Sequence, residues 1–259
     1  MVENYKKLLK EFKTISNRCW IKGINDYTNS AGLTFESLLN KKSDSMYFPD
    51  YKGIEIKCTQ RFSRYPISLF SIAFDGPTLY EMNNILNKYG KDDYIYKDKK
   101  TLISSVSFNE EVLVNNKFYF KLEIDEQKEK VYLAVFDLNK NLLEKEAYVD
   151  FCSIRNRLQV KLTNLAIVWA SKRKIDEELY FRYYKMVIYK LTSFENFIKL
   201  LKEEIIRIDI IGRVSRSGIE AGRQKNKNLV FKIDKKNIEL LFDVIEEYDG
   251  DSLNRFQIL

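Results

Sequence analysis

Apolar residues open the chain at Tyr5, Leu8, Leu9, Phe12 and Ile15. That is the i, i+3, i+4, i+7 spacing of one helical stripe, so it predicts an amphipathic first helix. A polar loop with Asn25, Asp26, Asn29, Ser30 and Gly32 follows, and Phe35, Leu38 and Leu39 mark a second helix over Thr34 to Asn40 with Glu36 off the stripe. The period then changes. Gly53 to Thr59 alternates as a strand, and Pro66 to Phe74 gives a second. Asp75-Gly76-Pro77 breaks the chain before a helix from Leu79 to Tyr89, with Gly90 as its C′ residue. Lys117 to Ile124 and Val131 to Phe136 form a hairpin, Phe151 to Val160 a helix, and Leu165 to Ala170 a buried strand. Leu179 to Leu191 is an aromatic strand, and Ser193 starts a helix reaching about Glu204. Arg207 to Val214 and Leu229 to Ile233 are two strands flanking a basic, glycine-containing loop. Lys236 to Tyr248 is a final amphipathic helix. Strands and helices mixed in this order predict an α/β or mixed α+β fold around a central mixed sheet.

Composition narrows the chemistry. The 259 residues are 45% hydrophobic, with 9 glycines and 3 prolines, enough apolar surface for a packed core and too little glycine and proline for disorder. Lys and Arg number 44 against 37 Asp and Glu, a net charge of +7, which favours a polyanionic partner. No apolar run crosses a membrane and no secretory signal is visible, so a cytoplasmic protein is expected. Histidine is absent. That excludes a Ser-His-Asp triad, a Cys-His pair and a histidine-rich zinc site. The 3 cysteines, Cys19, Cys58 and Cys152, match no metal or redox spacing. Any metal must therefore use oxygen ligands, which points to Mg²⁺ or Mn²⁺.

Pro49-Asp50-Tyr51-Lys52-Gly53-Ile54-Glu55-Ile56-Lys57 supplies such ligands. Alternation puts Glu55 and Lys57 on one face of the strand, and Asp50 can fold back toward Glu55. Two carboxylates beside one ammonium can hold a hard divalent cation and a polarised water, the equipment for phosphodiester hydrolysis. Asp50 and Glu55 are the expected metal ligands and Lys57 the group that orients the water. Glu36 is a third carboxylate for a second metal, a metal-bound water or Lys57. A solvated ion pair on a half-exposed strand would give the same spacing. Arg207, Arg213, Arg216, Arg223, Lys225 and Lys227 are six cations in and around the loop with Gly218 and Gly222. They suit DNA phosphates and guanine edges, and a solvated loop is the plain alternative.

Gly32-Leu33-Thr34-Phe35-Glu36-Ser37-Leu38-Leu39, Phe48-Pro49-Asp50 and Ile54-Glu55-Ile56-Lys57 together resemble the Gly-x-Thr-Phe-Glu-x-Leu-Leu helix and PD-(D/E)xK strand of the MvaI/BcnI type II restriction endonucleases, relatives of the MutH nickase. The resemblance implies that Glu36, Asp50, Glu55 and Lys57 are catalytic. It also implies a two-lobed clamp around duplex DNA, acting as a monomer. The lobes are expected at residues 1–175 (catalytic) and 176–259 (recognition), with Asp209 joining the six cations in binding DNA. Mg²⁺ is the expected cofactor, with Mn²⁺ substituting and Ca²⁺ binding without supporting cleavage. A DNA methyltransferase belongs to the same system, with no stable protein partner. Where the family carries His-Asp-His-Gly, the segment Ser215 to Asn228 has no histidine, which implies a changed recognition sequence. The alternatives are a MutH-like strand-specific nickase and a non-catalytic DNA-binding protein on the same scaffold.

Overall fold

The computed structural model describes residues 1–39, 48–216 and 218–251. Asn40, the expected end of the second helix, and Ser217 of the basic loop lie outside them. The chain forms two compact units, each discontinuous: Met1–Ile67 with Leu158–Ser193 and Lys236–Leu259, and Ser68–Arg157 with Phe194–Lys235. The expected division after residue 175 falls inside the first unit. The reason is a long hairpin: Asn164–Ile175 pairs antiparallel with Glu178–Leu191 from end to end, so a cut at its turn would sever one sheet.

The first unit is built on a mixed sheet. Glu55–Gln60 lies at its edge and runs parallel to Asn164–Ile175, then comes Glu178–Leu191, whose far side carries both Ile21–Lys22 and Phe242–Asp249. Helices Val2–Ser16 and Ser30–Leu38 cover one face. Tyr5, Leu8, Phe12, Ile15 and Phe35 are buried there against Ile54, Ile56, Ala166, Val168 and Tyr183. Each fully buried large side chain contributes about 1.5–3 kcal/mol, so this apolar face holds the edge strand in place.

The expected final helix is a correction. Only Ile238–Leu241 is α-helical, and Phe242–Asp249 is a strand. Ile238, Leu241, Phe242 and Ile245 imitate a helical stripe. The open edge of Glu178–Leu191 offers a complete backbone ladder instead, and that pairing overrides the local preference. Gly90 also differs from expectation. Its φ is −70°, so it is no left-handed cap. Glycine is needed because a Cβ would come 2.5 Å from the Leu86 carbonyl oxygen.

The second unit holds two five-stranded sheets. One contains the expected hairpin, Phe118–Asp125 with Lys130–Phe136. The other has the order Ile67–Ile72, Gln224–Ile233, Ile206–Val214, Lys100–Val106, Lys91–Asp92. Its core stacks Phe70 on Phe231 at 4.6 Å, with Phe197 beside both.

Candidate active site

An edge strand leaves its outward N–H groups without a ladder partner. Asp50 takes one of them: its Oδ2 accepts from the Ile56 amide at 2.9 Å. Between Asp50 and the strand, Tyr51 and Ile54 exchange both backbone hydrogen bonds, at 2.9 and 2.8 Å. Lys52 and Gly53 therefore form a two-residue turn with φ of +45° and +85°, the positive values that a type I′ turn requires. Glycine adopts this conformation freely, whereas lysine must be held in it. The turn is tied down at three further points. Asn4 Nδ2 donates to the Lys52 carbonyl at 3.0 Å, Asn164 Nδ2 to the Gly53 carbonyl at 3.1 Å, and the Tyr51 hydroxyl to Glu11 at 2.9 Å. Asp50 is thus fixed on the strand.

Glu55 is 3% exposed. A buried carboxylate needs paired charge, and this one has two partners. Lys57 Nζ donates to Oε1 at 2.6 Å, and Lys161 Nζ donates to Oε2 at 3.0 Å. Lys161 comes from the last turn of helix Phe151–Leu162 and also donates to the Phe48 carbonyl at 2.8 Å. Two carboxylates and two ammoniums therefore gather at one end of the edge strand.

Glu36 is placed differently. Its Oε1 lies 4.0 Å from where a Cβ on Gly32 would stand, and that same Cβ would meet Cys58. Cys58 points to the strand face opposite Glu55 and Lys57 by alternation. Among the described residues no three Asp, Glu, Cys or His side chains come close enough together to hold a metal, so a metal reading rests on the pair Asp50 and Glu55. Burial, with the charge of Glu36 adding to it, pushes the Cys58 thiol up to about 12. A thiol-specific disulfide reagent at neutral pH is expected to titrate Cys19 and Cys152, both exposed, quickly and the partly buried Cys58 much more slowly. Three fast thiols in the native protein would contradict this burial.

In the second unit, the basic residues sit on and beside the hairpin Ile206–Val214 and Gln224–Ile233. Residues 224–228, expected in the loop, extend the second strand. Arg207 pairs with Asp234 at 2.6 Å. Asp209 accepts from Ser105 Oγ at 2.8 Å and from Lys232. Arg223 and Lys225 both reach Glu220, at 3.3 and 2.8 Å, and Lys227 is exposed. Arg213 stands opposite Lys225 on the hairpin. A cleft of about 520 Å³ opens there, lined by Lys91, Tyr94, Ile103, Arg213, Arg216 and Lys225 among others.

Arg216 is held flat in this cleft. Its Nη1 and Nη2 donate to the two Asp93 oxygens at 2.6 and 2.5 Å, and its guanidinium lies 4.4 Å from the Tyr94 ring centre. Asp93, 1% exposed, also accepts from the Ile95 and Tyr96 amides at 3.0 and 2.9 Å. The Arg216 fork, opposed by burial and helped by those amides, holds the Asp93 carboxyl well below its ordinary 3.8. A depressed carboxyl stabilises the fold above the unfolded value and loses that contribution as pH falls below it. The stability difference between wild type and Asp93→Asn is therefore expected to stay constant from pH ~7 to ~4 and to narrow below. A difference that already changes between pH ~7 and ~5 in denaturant titrations would contradict this.

Lys161, Asp93, Tyr94 and Lys91 carry no sequence signal of a role. Lys161 is separated from Glu55 by 106 positions, and no spacing rule connects a lysine at a helix end to a distant strand.

A search of curated protein sequences found no match. Among solved structures, the chain is similar to restriction endonuclease MvaI in complex with its cognate DNA substrate. The TM-score is 0.88 at 25% identity, over 95% of this chain and 98% of that one. MvaI in the absence of DNA gives a TM-score of 0.58 at 25% identity, with the same 95% and 98% coverage. The sequence profile of the MvaI/BcnI restriction endonuclease family matches residues 9–242, a span that takes in the Asp50 turn, the edge strand, Lys161 and the basic hairpin. This chain belongs to the MvaI/BcnI restriction endonuclease family.

Proposed function

We propose that the chain is a Mg²⁺-dependent endonuclease that cuts a short, specific double-stranded DNA sequence at the Asp50, Glu55 and Lys57 site. Family membership makes it a site-specific deoxyribonuclease acting on DNA. The observation that carries the finer reading is the preorganised edge strand, on which Asp50 is bound to the Ile56 amide and Glu55 is buried between two lysines. The donor set fits a hard cation. One of its oxygens, Glu55 Oε2, already holds a positive charge, the Lys161 ammonium, which it shares with the Phe48 carbonyl. Asp50 and Glu55 would hold Mg²⁺, with Mn²⁺ as a substitute and Ca²⁺ as a non-productive occupant. When bound, the metal supplies a Lewis acid that lowers the pKa of water and offsets charge at phosphorus.

The chain's own residues do the rest. Lys57, with a side chain 28% exposed, reaches beyond buried Glu55, orients the attacking water and screens the scissile phosphate as a compact positive charge. Attack at phosphorus yields 5′-phosphate and 3′-hydroxyl ends. Glu36 stays a supporting acid of the proposal, acting beside Cys58. On the second unit, Arg213, Lys225, Lys227 and Arg223 face DNA. Arg207 and Asp209 act through their pairings with Asp234 and Lys232, while Arg216 lines the cleft toward DNA and covers Asp93. The enzyme works as a monomer within a restriction–modification pair whose methyltransferase protects the host DNA. Among the described residues no helix is long and apolar enough to cross a membrane.

The test is incubation with phage and plasmid DNA and Mg²⁺, against EDTA, followed by sequencing of the ends. Discrete fragments with one common end sequence are expected. Uncut DNA on every template, or nicks in one strand only, would overturn the reading. The net charge of +7 adds an expectation for binding. The logarithm of affinity should fall linearly with the logarithm of salt, because each lysine or arginine on a phosphate releases a counterion. Filter binding between about 50 and 200 mM salt measures that slope, expected to be steep, with losses of about 10³ if six or more phosphates are contacted.

A further inference from the structure

Lys161 is a second cation on Glu55 that the reaction above leaves without a role. Its side chain is 12% exposed and that of Glu55 is 4% exposed, so this contact is shielded from solvent. The ammonium does two things at once. Through the Phe48 carbonyl at 2.8 Å it holds the segment entering Asp50, and through Glu55 Oε2 at 3.0 Å it holds the strand. It thereby ties together the two pieces of chain that carry the carboxylates. It also stands on an oxygen that a divalent cation at Asp50 and Glu55 would need.

We infer that Lys161 is a positioning residue that keeps Glu55 and the Phe48–Asp50 segment in register, and that its ammonium is the resident cation with which a divalent metal competes for Glu55. The inference rests on the proposed metal site. Hard cations and ammonium groups seek the same carboxylate oxygens, and a compact lysine charge satisfies a buried carboxylate until a doubly charged ion replaces part of that contact. Lys57 occupies the other oxygen, Oε1, at 2.6 Å, so the competition concerns Oε2.

The experiment measures Mn²⁺ binding to the full chain without DNA, by calorimetry and electron spin resonance, for wild type, Lys161→Met, Lys161→Arg, Asp50→Asn and Glu55→Gln. Removing the competing charge while keeping apolar bulk should make Lys161→Met bind Mn²⁺ about tenfold tighter, opposite in sign to the roughly 10–100-fold loss expected if Lys161 only supported the ligand. Its metal-free form should melt lower than wild type, and Mn²⁺ should raise its Tm by more than it raises the wild-type value. With metal saturating, kcat should fall and KM for DNA should hold, since the carboxylates lose their register. Lys161→Arg, which keeps the charge, should bind Mn²⁺ no tighter than wild type and serves if the Met variant does not fold. Unchanged or weaker Mn²⁺ binding by Lys161→Met, or tighter binding by Lys161→Arg, would overturn the competition while leaving the metal site standing. If wild type binds no Mn²⁺, or Asp50→Asn and Glu55→Gln leave binding intact, the nuclease site itself fails and the competition falls with it.

Discussion

Lys57→Ala is expected to lower the cleavage rate by at least about 10²–10³-fold, the cost of losing one preorganised charge at a developing anion. KM for DNA should stay within about threefold, because one phosphate contact among many adds only about one unit of salt slope. The fold should survive, for a structural reason. Glu55 keeps Lys161 on Oε2 when Lys57 is gone, so the buried carboxylate is not left without a positive partner. Glu55→Gln makes a useful contrast. It removes the charge that both lysines compensate, so it should impair cleavage and alter stability together. The measurements are single-turnover cleavage of a cognate duplex, equilibrium binding in EDTA and thermal unfolding. A Lys57→Ala enzyme that cuts at nearly the wild-type rate would move catalysis away from the edge strand. One that loses affinity and Tm in proportion to its rate would make Lys57 a structural ion pair only.

What the sequence shows of this site depends on how local the contacts are. The Asp50 turn and the Glu55–Lys57 alternation need only a few neighbouring residues, since strand parity and the Lys52-Gly53 turn are local rules. Hence the expected strand from Gly53 to Thr59 and the observed Glu55–Gln60 nearly coincide. Helix Val2–Ser16 was legible for the same reason. Lys161 was not, because its role depends on where a distant helix ends. The strand Phe242–Asp249 was hidden by an apolar spacing that suits a helix, and only the vacant edge of Glu178–Leu191 decides it. The two units were hidden by connectivity, because each is assembled from separated stretches of chain. Among the cations, the sequence lists charges but not their partners. Arg207, Arg216, Arg223 and Lys225 each have an acidic neighbour in the structure. Among the described residues no such side-chain partner is seen for Arg213.

That distinction leads to the second large effect. Arg216→Ala is expected to weaken binding to the cognate sequence by about 10²-fold, within the 1–3 kcal/mol of a lost base or loop contact, and by more than Arg213→Ala does. Arg213 is a cation added to the cleft, so its removal subtracts one attraction. Arg216 both lines the cleft and covers Asp93 with a two-pronged contact at 2.6 and 2.5 Å. If DNA lies on this cleft as proposed, removing it uncovers the otherwise buried Asp93 carboxylate toward the DNA, and a repulsion then adds to the lost attraction. Arg216→Lys should recover only part, because a single ammonium reproduces neither the fork nor the stack on Tyr94. The test of the repulsive component is a double-mutant cycle. If Asp93 is harmful only when uncovered, Asp93→Asn should restore part of the cognate affinity in the Arg216→Ala background and lower it in wild type, a strongly non-additive result. Binding to cognate and scrambled duplexes at several salt concentrations separates the two components, since repulsion affects both duplexes and lost readout affects only the cognate. Additive effects in the cycle would mean that Asp93 does not face the nucleic acid, and that Arg216 contributes to binding as one more cation of the hairpin.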